Sequence, residues 1–172
     1  MDLFAAETAT FLAWVDYFLG EKLDAVSPQI RKRIYNETNY RIFQPLMTKP
    51  HGWMTTNANG RRPNNWNPWI CSNWINSILL LEKDDKKRAE SVAKALEVLD
   101  NFLNPHPLDG GCDEGPSYWG AAAASLYDNL SLLNLASNAV KFTDTGWVRI
   151  DVEEVEEDGR AMVRIAVSDT GP

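Results

Sequence analysis

The chain has little of what a metal centre or a disulfide framework requires. It holds two cysteines, Cys71 and Cys112, and two histidines, His51 and His106. That excludes a multiply bridged mini-protein and a thiolate zinc quartet, and both cysteines read as buried free thiols. No apolar run approaches the ~20 residues that span a bilayer. Met1-Asp2-Leu3-Phe4 puts an acid where a secretory signal has basic residues. A soluble, cytoplasmic chain with no membrane partner is the expectation. Cations are in deficit too: 17 Lys and Arg stand against 24 Asp and Glu, a net charge of −7. Nucleic acid is an unsuitable partner, because holding a phosphate backbone takes clustered cations that release its counterions. The acidic balance suits solubility or a basic protein partner.

What is present is enough for one sizeable core, with 172 residues of which 44% are hydrophobic. Leu3 to Leu19 reads as an apolar helix carrying Phe4, Phe11, Trp14, Val15, Phe18 and Leu19, with Gly20 as its stop. Ser27-Pro28 has the cap and first-turn chemistry of a second helix, which carries Ile30, Ile34, Tyr35, Ile42 and Phe43 inward until Pro45 breaks it. His51 to Pro68, with five Asn, reads as a loop, and Trp69 to Leu81 as a buried helix. Asp84-Asp85 opens an amphipathic helix with Ala89, Val92, Leu96, Leu99 and Leu103 inward and Phe102 beside them. Asn104 to Pro116 is a second polar loop, and Ser117 to Phe142 a long helix. The apolar period then becomes two. Val148, Ile150 and Val152, and later Val163, Ile165 and Val167, alternate with other residues around Asp158-Gly159, a hairpin turn. The fold class is mainly α, a partial α/α toroid-like helical array with a C-terminal β-hairpin, or α+β in the wider sense.

Two loop motifs stand out: Asn64-Asn65-Trp66-Asn67-Pro68-Trp69-Ile70-Cys71-Ser72-Asn73-Trp74, and Asp109-Gly110-Gly111-Cys112-Asp113-Glu114-Gly115-Pro116-Ser117-Tyr118-Trp119. Together they resemble the helical toroid of heparinase II/III-like proteins, over roughly residues 11–131. The resemblance implies a cleft for an acidic polysaccharide and β-elimination from a uronic acid. That reaction needs a base for the C5 proton, an acid for the leaving oxygen and a group that quenches the carboxylate. Asn65, Glu114 and Tyr118 match motif positions near such a cleft, His51 is a nearby proton carrier, and Trp66, Trp69 and Trp119 suit sugar stacking. The reading from local chemistry alone differs. It makes Asn65 a loop-capping amide, Glu114 a carboxylate facing the next helix dipole, Trp66, Trp69 and Trp74 core and loop anchors, and His51 and His106 exposed loop residues.

From Leu132 the sequence changes character. Leu133-Asn134-Leu135-Ala136-Ser137-Asn138-Ala139-Val140-Lys141-Phe142-Thr143 resembles the N box of a histidine-kinase ATPase domain, and Val167-Ser168-Asp169-Thr170-Gly171 the start of its G1 box. The resemblance implies that Asn138 holds Mg²⁺, Lys141 lies near the phosphates of ATP, and Asp169, beside Gly171, accepts a hydrogen bond from the adenine amino group.

Both signatures are cut short and joined inside one predicted helix near Leu132 to Leu135, so residues 1–131 and 132–172 are expected to be two family fragments packed as one domain. The chain reads as a recombined or artificial sequence, with a natural fusion as the alternative. No intact enzyme and no resident cofactor are expected. The function expected is that of a non-catalytic acidic binding protein, an inhibitor or antitoxin type of partner for a basic protein. Polysaccharide binding with lyase-like activity, or ATP and Mg²⁺ binding, are the alternatives. An uncovered helix face offers a route to a homo-oligomer.

Overall fold

A computed structural model describes residues 1–111, 114–141, 148–157 and 160–169, and side-chain surroundings through residue 134. The described chain is mainly α: α1 (Leu3–Val26), α2 (Pro28–Thr38), a π-turn (Asn39–Phe43), α3 (Gln44–Thr48), α4 (Trp66–Leu81), α5 (Asp85–Leu103) and α6 (Pro116–Lys141). Two strands follow, β1 (Val148–Glu157) and β2 (Arg160–Asp169). No helix among the described residues is long and apolar enough to cross a membrane.

The chain divides into two compact units, Met1–Asn129 and Leu130–Pro172, and the division falls inside α6. In the first unit α4 is the central element, and both α1 and α5 pack on it. Its Ile70, Cys71, Trp74, Ile75 and Ile78 are buried almost completely. That is the burial pattern of a helix apolar on every side. Burial also pushes the Cys71 thiol far above its ordinary pKa, so it stays protonated and inert.

Three local expectations need correction. Gly20 does not stop α1, which runs on to Val26 with Gly20 buried inside it. The reason is tertiary: the Arg31 guanidinium from α2 occupies the space where a side chain at residue 20 would begin. Pro45 does not break the second helix either. The backbone widens into the π-turn just before it, with Gln44 N–H bonded to Asn39 O, and then continues as α3. A π-turn relieves the clash between a proline ring and the preceding turn. In α5 the buried set is Ser91, Ala95, Val98, Leu99 and Phe102, so the inward face is rotated from the expected one, and Ala89 is exposed. Val98, Leu99 and Phe102 are the large groups of that buried face.

Other signals act as their chemistry requires. Ser27 caps α2, its Oγ accepting from Gln29 N–H at 3.3 Å with Pro28 in the first turn. Asp84 caps α5, accepting from Lys87 N–H at 3.1 Å. α1 and α2 are clamped by Arg31, whose Nε donates to Asp16 Oδ1 at 2.7 Å, Nη2 to Oδ2 at 3.3 Å, and Nη1 to Asp24 Oδ2 at 2.9 Å. Those carboxylates raise the Arg31 pKa further.

In the second unit β1 and β2 pair antiparallel from Val148↔Asp169 to Glu157↔Arg160. The register places Ile150 opposite Val167 and Val152 opposite Ile165 on one face, and Glu153 opposite Arg164 on the other. Asp158-Gly159, the expected turn, lies outside the described residues, as do Cys112 and Gly171.

Candidate functional site

The two motif loops meet. Residues 49–65 lead into α4 and residues 104–115 lead into α6, and hydrogen bonds among the described residues tie one to the other. Asn65 N–H donates to Glu114 Oε2 at 3.2 Å, and Arg62 Nη1 donates to the Pro105 carbonyl at 3.3 Å. Gly115 adopts a φ of 88° next to Glu114, a left-handed conformation that suits glycine and turns the chain into α6 at Pro116.

Of the four lyase-type candidates, Asn65 and Glu114 are therefore brought together. Asn65 is buried at the start of α4, with its Nδ2 unpartnered among the described residues. It makes no side-chain cap, so the loop-capping role expected of its amide is not the one it performs. Glu114 holds the backbone of the other loop, which leaves its second oxygen for further contacts. Tyr118 and Trp119 lie in the first turn of α6, 54% and 52% exposed, and Trp119 Nε1 donates to Gly110 O at 2.8 Å. That bond fixes the indole while leaving half of it open to solvent.

His51 sits apart from that pair. It is half-buried rather than exposed, lies parallel to the Trp53 ring at 5.8 Å, and lines a different groove, of about 690 Å³, with Thr8, Glu37 and Arg41. Burial is the main cause that lowers its pKa, so the neutral imidazole is favoured. His106 is also half-buried, with its ring 5.1 Å from Phe102.

The tryptophans divide by role. Trp74 is fully buried in the core, as its anchor reading has it. Trp69 is half-buried and its Nε1 donates to Glu7 Oε1 at 2.8 Å, pinning α4 to α1. Sequence reasoning passed over two amides that build the site from beneath. Asn67 is fully buried, and its Nδ2 donates to Trp53 O at 3.2 Å and to Val98 O at 2.9 Å, joining the first loop to α5. Asn129, also fully buried, donates to Pro68 O at 3.1 Å and to Ser125 O at 2.7 Å, joining α6 to the first turn of α4. For Asn129 the sequence hint is an amide inside an apolar helical pattern, where a polar group must find partners; Asn67 falls in the segment read as a loop and carries no such hint.

A second groove, of about 950 Å³, runs between α1, α2 and the end of α4, lined by Asp16, Arg31, Tyr35 and Lys83 among others. At its edge Tyr35 Oη donates to Glu82 Oε2 at 3.1 Å, and the other Glu82 oxygen accepts from Asp84 N–H at 3.0 Å. Burial, then Glu82, raises the Tyr35 pKa. Among the described residues no group of three or more His, Cys, Asp or Glu is placed to hold a metal ion.

For the nucleotide-type candidates, Asn138 and Lys141 belong to the last turns of α6 and Asp169 to the end of β2. Their side chains lie outside the described surroundings. Compared with known families the chain matches no family model, and compared with curated proteins it matches none.

Proposed function

We propose that the protein acts by binding, as a non-catalytic acidic partner of a basic protein, of the inhibitor or antitoxin type. The observation that carries this reading is where the negative charge lies. Residues 130–172 carry four basic and eight acidic residues, and β1 alone has Asp151, Glu153, Glu154, Glu156 and Glu157 against one cation, Arg149. In the helical unit several acids are already paired, Asp16 and Asp24 with Arg31, Glu37 with Arg41, Asp85 with Arg88 and Glu97 with Lys94. β1 and β2 form a two-stranded sheet, so each strand has an edge without a hydrogen-bonded neighbour among the described residues. An acidic strand with an open edge suits a basic extended segment, which gains main-chain bonds and charge pairing together. The test is titration calorimetry against a panel of small basic nucleases at low and moderate salt. Binding that weakens with salt and is lost in Glu154→Lys/Glu156→Lys supports the reading. Binding that is indifferent to both sinks it, as does no binding to any member.

A second reading, recognition of an acidic polysaccharide, is favoured by the junction of the two motif loops at Asn65 and Glu114 with two half-exposed aromatic rings beside it in sequence. Aromatic faces and a few placed polar groups are the usual means of holding a sugar. Tryptophan fluorescence on adding uronic-acid oligosaccharides checks it: a saturable shift lost in Trp119→Ala is expected, and an unchanged spectrum ends the reading.

A further inference from the structure

Helix α1 is built inside out. The inward arc holds Ala6, Ala9, Ala13 and Gly20, all buried, with α4 and α2 packed on α1 and Arg31 of α2 over Gly20. The opposite arc carries Phe4, Phe11 and Phe18, which are 75%, 67% and 49% exposed. Residues seven apart lie on nearly the same side of a helix, drifting by ~20° each time, and about 10.5 Å apart along its axis. Val15 and Leu19 fall in the same arc. A helix apolar on every side is stable in water only when every side is covered, and α4 and α2 cover the inward one.

We propose that the phenylalanine row is a homodimer interface, in which α1 packs antiparallel against α1 of a second copy of the chain with the two-fold axis at Phe11. The row is symmetric about its middle: Phe4 and Phe18 stand seven residues to either side of Phe11. A two-fold axis there puts Phe11 against its own mate and Phe4 against Phe18 of the other copy. An isologous contact requires this kind of self-complementarity. The steady drift of a seven-residue repeat also matches the ~20° crossing of a left-handed helix pair.

Charge selects a second copy over a basic partner at this face. The carboxylate beside the middle of the row, Glu7, roughly 40° round the helix from Phe11, is engaged by Trp69. The other charge within the arc is Lys22, near the C-terminal end. Two copies of an acidic chain therefore approach here without opposing bare carboxylates, whereas a basic segment would meet a lysine. The three rings supply roughly 400 Å² per copy, about half of the ~800 Å² per partner of a stable interface. Leu19 and Val26, also exposed, extend the face toward that area. The dimer is accordingly a concentration-dependent one.

The test uses the full chain carrying Cys112→Ser, since Cys71 is buried and unreactive. Under mild oxidation Phe11→Cys is expected to form a disulfide-linked dimer. Phe4→Cys and Phe18→Cys are expected to stay monomeric when alone and to cross-link when mixed. Sedimentation velocity reads the unlinked protein: concentration-dependent dimer for wild type and for Phe11→Leu, monomer for Phe11→Glu with an unchanged circular dichroism spectrum. A wild type that stays monomeric up to its solubility limit overturns the proposal. So does self-linking at residues 4 and 18, which means a parallel pair. Loss of basic-protein binding in Phe11→Glu, with wild type monomeric, assigns the row to that partner and also overturns it. The β1 substitutions lie on another element and leave sedimentation unchanged, so this inference and the binding reading fail separately.

Discussion

A methyl group on Gly20 would lie 2.9 Å from Cζ of Arg31, the residue that clamps α1 to α2 through Asp16 and Asp24. Two effects oppose each other there. Alanine in place of glycine inside a helix gains about 1 kcal/mol of propensity. Displacing Arg31 from a part-exposed ion pair gives back up to about 1 kcal/mol. Gly20→Ala alone should therefore change stability by less than about 1 kcal/mol. In an Arg31→Ala background the same substitution should stabilise by about 1 kcal/mol. A double-mutant cycle by urea denaturation measures the difference, and equal effects in both backgrounds would show that the guanidinium does not occupy that space.

Asn67 carries a heavier penalty. Its Nδ2 donates to both the Trp53 and Val98 carbonyls in a fully buried position. Asn67→Ala removes the donor to the Trp53 carbonyl and the second donor to Val98, whose carbonyl also serves α5, and a loss of about 1–3 kcal/mol is expected. Equilibrium unfolding reads it, and a loss below half a unit of that scale would mean that water replaces the amide.

Glu114→Gln keeps the shape but weakens the acceptor for Asn65 N–H, and Glu114→Ala removes it. A graded cost is expected, with alanine losing about 1–2 kcal/mol and glutamine less. Proteolysis should become faster between residues 104 and 115 in the alanine variant. Cleavage rates identical to wild type would show that the two loops are held together without this bond.

The Tyr35 phenol gives a pH signature. Its pKa in the folded state lies above the ordinary value, because burial and Glu82 disfavour the phenolate. The unfolded chain then releases this proton first as pH rises. The contribution is fully present below the ordinary pKa of about 10 and is lost as pH climbs through the higher folded-state value. Melting temperatures should fall more steeply above that point in wild type than in Tyr35→Phe. Parallel alkaline limbs for the two proteins would refute the linkage.

Local chemistry was legible along the chain. Ser27 and Asp84 announced helix starts, the apolar run through Ile70, Trp74 and Ile78 announced the core, and the period change at Val148 announced the hairpin. Features set by contact between distant segments were not. Gly20 has the composition of a stop but is buried against Arg31, and only the fold shows that residue's place. The inward arc of α1 is its alanines because α4 approaches closely there, a choice that a helix apolar on all sides leaves open. The two motifs put Asn65 and Glu114 near one expected cleft but did not name the bond between them, and Asn67 and Asn129 were hidden because an amide in sequence does not name its carbonyl.

Cys71 gives the molecule an internal clock. Its sulfur is shielded from solvent at the centre of α4, and burial keeps it as the thiol. A thiol reagent can reach it only when the helices around it separate. In a Cys112→Ser background its labelling rate therefore counts openings of the core under native conditions, with no denaturant. Where reclosing outpaces labelling, the ratio of that rate to the rate of a free thiol is the population of the open state, and a dimer built on α1 should slow it as protein concentration rises.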